Sequence, residues 1–171
     1  MVLDCGLFLR ADGLQEDDGS YRLGLVGSGE TPLPNIDIEK DTGTIVRAVL
    51  LSPPGKTILA AGSMISWSDQ LRVWCKANKV PFGGFDPIPI DVFDHFFPIP
   101  GLGRELGEMM AFMDEFGYTG EEPNVVLPSE VSCCRFSLSN PANYVQLDVP
   151  CHLTSWEEYI KGQDWSHILD V

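Results

Sequence analysis

The chain has 171 residues, with 25 acids against 11 bases for a net charge of −14, 44% hydrophobic and 21% charged residues. That length suits one domain with a real core, which excludes wholesale disorder, and the charge disfavours direct nucleic-acid binding because it repels a phosphate backbone. No apolar run reaches the roughly 18 residues that a membrane span needs, and 17 glycines with 13 prolines point to many turns rather than a helical bundle. The start at Met1 carries no basic region or long apolar stretch, so no signal peptide is expected. Five cysteines without a Cys-x-x-Cys spacing argue against a disulfide framework or a zinc site. A reducing compartment, cytoplasm or nucleus, is therefore the expectation.

In chain order, Leu3 to Arg10 reads as a strand end or loop, and Asp12 to Ser20 as an acidic turn region with a turn at Asp18-Gly19. Tyr21 to Val26 alternates as a strand. Gly27 to Pro34 is a loop, and Asn35 to Ile38 a short strand. Asp41 is expected to cap a helix whose buried stripe is Ile45, Val46, Val49 and Leu50, ending at Pro53-Pro54-Gly55. Thr57 to Ala61 is a short strand. Ser66, with Asp69 three residues on, starts a second helix that buries Trp67, Leu71, Trp74, Cys75 and Asn78. Pro81 to Pro100 holds five prolines and five phenylalanines and reads as extended, with one helical turn near Val92 to His95. A third helix runs from about Gly103 to Phe116 on a stripe of Leu102, Leu106, Met109, Met110, Met113 and Phe116, and stops at Gly117. The last helix begins at Thr154, with Thr154 and Glu157 as a capping box, and docks by Trp156, Tyr159 and Ile160, extended by Trp165 and Ile168. Strands alternating with helices make this an α/β or α+β pattern.

Few motifs carry chemistry. Gly24-Leu-Val-Gly27-Ser-Gly29 looks like a dinucleotide fingerprint, but Pro32 and Pro34 follow where the mechanism needs a helix N-terminus, so a plain loop is expected. His95, His152 and His167 have no ligand partner at helical spacing, and the adjacent Cys151 and His152 cannot easily share a metal. There is no Gly-x-Ser-x-Gly elbow and no Tyr-x-x-x-Lys pair, since Tyr159 and Lys161 point to different helix faces. Cys133-Cys134 reads as a pair of exposed thiols. The methionine stripe reads as core packing, or else as one wall of a pliable substrate pocket.

Several segments, taken in order, resemble the NmrA-like family, an atypical branch of the short-chain dehydrogenase/reductases, most closely its fungal version. They are Asp18-Gly-Ser-Tyr-Arg-Leu23, Leu33-Pro-Asn-Ile-Asp37, Asp41-Thr-Gly-Thr-Ile-Val-Arg-Ala48, Leu59-Ala-Ala-Gly-Ser-Met-Ile-Ser66, Gly103-Arg-Glu-Leu106, Phe116-Gly-Tyr118 and Thr154-Ser-Trp-Glu-Glu-Tyr-Ile160. The resemblance covers about residues 19–130 and 147–169 and concerns only the family's C-terminal half. It implies an α/β fold, the substrate-side part of a Rossmann-like NAD(P)-binding fold without its N-terminal nucleotide-binding half, as a single lobe over 1–171. Residues 131–146 stand as an irregular insertion, either a surface loop or a retained intron. By the same resemblance Gly6, Leu7 and Phe8 form the loop beside the nicotinamide of NADP, and no catalytic residue is carried over. The parent function would be NADP-dependent oxidoreduction or redox sensing, in secondary metabolism or transcriptional regulation. The alternatives are a non-catalytic protein-interaction lobe or a fragment without function. The resemblance implies NADP for the full-length family and none for this chain alone. Expected partners are another protein or the missing half, with neither nucleic acid nor membrane.

Overall fold

A computed structural model describes residues 15–51, 54–55, 57–120, 122–126 and 152–169. The expectations for Gly6, Leu7 and Phe8, for Cys133-Cys134 and for the insertion at 131–146 lie outside the described residues.

The architecture is mixed α/β. Strand β1 (Tyr21–Leu25) follows a tight turn in which the amide of Ser20 donates to the carboxylate of Asp18 at 2.9 Å. Tyr21, Leu23 and Leu25 point inward and are buried, as the alternation requires. β1 pairs in parallel with β5 (Phe82–Pro87), and the register slips between Tyr21 and Arg22. The Arg22 guanidinium closes this pair from outside, with Nε 2.7 Å from Asp86 and Nη1 2.6 Å from the carbonyl of Gly83.

The long connection between these two strands carries half of the other described elements. Strand β2 (Leu33–Asn35) pairs antiparallel with β4 (Ser63–Ile65), and β3 (Thr57–Ile58) pairs in parallel with β6 (Val125–Val126). Helix α1 spans Ile38–Leu51 and α2 spans Trp67–Asn78. Ser66 caps α2 as expected: its hydroxyl accepts from the amide of Asp69 at 3.2 Å. Leu71, Trp74 and Cys75 lie buried on β1 and β5. Trp74 packs edge-on against Tyr21 and Trp165, with ring centres 5.0 and 6.0 Å away.

Beyond β5, α3 (Ile90–Asp94) is the single helical turn in the proline-rich stretch. It packs against α4 (Leu102–Phe116), and Gly103 makes that approach possible. A Cβ there would lie 2.4 Å from the Asp94 backbone. Met110 and Met113 carry α4 into the core, and Gly117 ends it at a φ of 74°. The chain finishes in α5 (Trp156–Gly162) and α6 (Ser166–Leu169), which bury Trp156, Ile160 and Ile168.

Three expectations need correction. The strand expected at Asn35 to Ile38 sits earlier, at Leu33–Asn35, and α1 starts at Ile38 rather than at Asp41. The capping carboxylate is Asp37, which accepts from the amide of Lys40 at 3.2 Å. The buried line of α1 then runs through Asp41 and Ala48, one turn and then two turns in. Of the expected stripe only Ile45, next to that line, is half-buried; Val46 and Val49 are exposed, and Leu50 is 77% exposed.

The third correction is a shift of one residue at α5. The residues Thr154-Ser-Trp-Glu-Glu158 contain two overlapping capping boxes, and the second is used. The Ser155 hydroxyl accepts from the amide of Glu158 at 3.3 Å, and the Glu158 carboxylate accepts from the amide of Ser155 at 2.9 Å. Replacing Ser155→Ala should therefore cost about 1 kcal/mol in a urea melt, whereas Glu157→Gln should leave the melt almost unchanged. Glu157 merely pairs with Lys161 on the exposed face.

Candidate functional site

A cleft of about 890 Å³ opens between β2, the first turn of α1, the segment after β3, one face of α4 and the start of α5. That volume lies in the range of small-molecule pockets. Its character comes from Trp67, Met109, Phe112, Met113, Trp156 and Tyr159. Met113 thus serves the core and the cleft together, while Met109, half-buried, faces the same space. The core reading of the methionine stripe holds at Met110 and Met113, and the same helix also lends Met109 and Met113 to a wall of the cleft.

The rim is built from hydrogen bonds between distant segments. Asp41 is buried, and its carboxylate accepts from the Thr154 amide at 3.0 Å, the Thr154 hydroxyl at 2.9 Å and the Asp37 amide at 3.1 Å. It therefore ties the start of α1 to the segment that leads into α5. The Trp156 amide donates to the Ser63 hydroxyl at 2.9 Å, and the Trp156 indole to the Gln70 carbonyl at 3.0 Å. These bonds hold two walls of the cleft against α2 and β4. The Lys40 ammonium, 2.9 Å from Asp37, holds the Asp37 carboxyl below the usual carboxylate range.

Polar side chains share the cleft with the aromatic rings: Asp37, Glu39, Thr154 and Ser155 line it. Asn35 and Gln70 line it too, and their amide nitrogens donate to backbone carbonyls of Leu33 and Ile65. Tyr118 and Gln163 stand at its edge. Periodicity named the methionines but not Asn35, Gln70, Phe112 or Tyr118. Phe112 lies one step off the stripe, and it is exposed together with Phe116, which the stripe had placed on the buried face, whereas Met110 and Met113 are buried.

Chemistry-bearing residues lie elsewhere. Burial pushes the Cys75 thiol up to about 11, so it is no thiolate nucleophile near neutral pH. His95 contacts the carbonyl of Asp91, His152 lies 3.5 Å from Glu158, and His167 stacks on Trp165. None of the three lines the cleft. Among the described residues no group of three or more His, Cys, Asp or Glu could hold a metal ion. No helix among them is long and apolar enough to cross a membrane.

The glycine loop before β2 does not fit the diphosphate of NADP. It runs into a strand, and the Ser28 amide donates to the Asp114 carboxylate at 2.8 Å. An amide that a phosphate would need is already bound to a negative charge. Ser28 and Thr31 hydroxyls donate to the same carboxylate at 2.6 and 2.7 Å. Burial of Asp114 raises its pKa, but these bonds outweigh that and hold it below the usual range. The cluster pins the loop to the end of α4. No histidine joins it, so it is not a nucleophile triad.

No family model matches the chain, and no curated protein matches it.

Proposed function

We propose that this chain is a ligand-binding lobe, the substrate-side part of an NmrA-like NADP-dependent oxidoreductase or redox-sensing regulator. The supporting observation is the cleft of about 890 Å³, with aromatic and methionine walls and a few amide groups. In this reading the lobe binds and orients an apolar small molecule and excludes water from it. Redox chemistry in this reading belongs to the dinucleotide-binding lobe that the resemblance implies, and the glycine loop before β2 serves structure by its bonds to Asp114. A second reading, a non-catalytic protein-interaction lobe, is favoured by the exposed Val46, Val49 and Leu50 on α1.

Calorimetric titration with 2-naphthylmethanol separates the two. The ligand-binding reading expects saturable binding with one site. Phe112→Ala, which removes an exposed ring from the cleft without opening the core, should weaken it about fivefold. Absence of binding at the solubility limit of the probe, or binding indifferent to Phe112, overturns this reading. A change of association state in Leu50→Glu would then support the interaction lobe.

A further inference from the structure

The described residues lining the cleft include two carboxylates, Asp37 and Glu39, and no lysine or arginine. The described bases nearest to them along the chain are held by acids: Lys40 by Asp37 at 2.9 Å, Lys161 by Glu157 at 2.8 Å, and Arg72 by Asp69. The first turn of α1 carries Glu39 and Asp41, with Asp37 before it, against Lys40 alone, so this wall is net negative. Opposite stand π-rich rings. Trp156 and Tyr159 stack at 5.6 Å, and Trp67, Phe112 and Tyr118 line the same space. Ring faces attract cations and disfavour anions. A cleft that combines an acidic wall, aromatic faces and no base rewards one sign of charge, and a chain of −14 adds a long-range bias in the same direction.

We infer that the cleft selects an apolar ligand bearing a positive charge, an arylalkyl or alkyl amine, over its neutral and anionic counterparts. This rests on the ligand-binding reading above and names the class of ligand for that same site. The ammonium sits toward Glu39 at the mouth, where the carboxylate is exposed, and the apolar body lies between the methionines of α4 and the aromatic rings. An aryl carboxylate meets the acidic wall with nothing to offset it.

The test is calorimetry on the whole chain at low salt with three probes of one shape: 2-naphthylmethylamine, 2-naphthylmethanol and 2-naphthoate. The amine should bind about tenfold tighter than the alcohol, and the naphthoate weakest. Glu39→Gln should cut the advantage of the amine about threefold and leave the alcohol unchanged. Asp17→Asn, an equal charge change at an exposed position away from the cleft, should leave that advantage intact. Raising the salt should shrink the preference for the amine. If the alcohol binds as well as the amine, the charge inference is overturned while the ligand-binding reading stands. Should Asp17→Asn act as strongly as Glu39→Gln, the preference belongs to the bulk charge and the inference is wrong. If no probe binds, both readings fail.

Discussion

Replacing Trp74→Ala is expected to destabilise the chain by about 3–5 kcal/mol, the largest single effect among core truncations. Trp74 is 0% exposed and stands between Tyr21 of β1 and Trp165 beyond α5, so its loss opens a cavity where three segments meet. Its indole nitrogen is also buried with no hydrogen-bond partner among the described residues. That orphan donor costs free energy in the native state. Trp74→Phe removes the donor and keeps most of the ring, so it should cost clearly less than the alanine change. Urea melts of both variants check this: an equal loss in the two would show that ring volume is not what matters there.

The second large effect is expected at Asp41. Asp41→Ala should cost about 3 kcal/mol, because it leaves the buried amide of Asp37 and the part-buried amide of Thr154 without their charged acceptor. The damage is not confined to stability. With Thr154 released, the segment before α5 loses its tie to α1, and the cleft loses a fixed rim. Asp41→Asn keeps an acceptor oxygen and should recover part of the loss. Calorimetric binding of 2-naphthylmethanol should weaken in Asp41→Ala more than in Ser155→Ala, although both act near the same helix start. Equal weakening would mean that the rim does not depend on Asp41.

What the sequence made legible followed from local physics. The alternation of Tyr21, Leu23 and Leu25, the Ser66 cap and the Gly117 stop each depend on neighbours within a few residues, and each is in place. The misplacements occur where two local solutions compete. Asp37 and Asp41 are equally good caps by type, and Thr154 and Ser155 both begin capping boxes. The choice between them was made by a hydrogen bond across 113 residues, from Thr154 to Asp41, which no short window contains. The same contact explains why most of the apolar stripe of α1 faces outward: burying Asp41 turns Val46, Val49 and Leu50 away. The short strand Ser63–Ile65 escaped notice because it has only three residues and takes its register from β2. The cleft was half legible. Helical spacing brought out Met109 and Met113, but only folding shows that Asn35, Gln70 and Tyr118 gather opposite them.

The bond between Thr154 and Asp41 also sets an order of events during synthesis. The pairing of β1 with β5 becomes possible once Pro87 has left the ribosome, whereas the cleft's last wall waits for Trp156 and Tyr159. At about 5–20 residues per second, the emerging chain spends several seconds with its central strands available and its binding cleft unfinished. During that interval Asp41 has no Thr154 to hold. The cleft can therefore close only once Trp156 and Tyr159 have emerged.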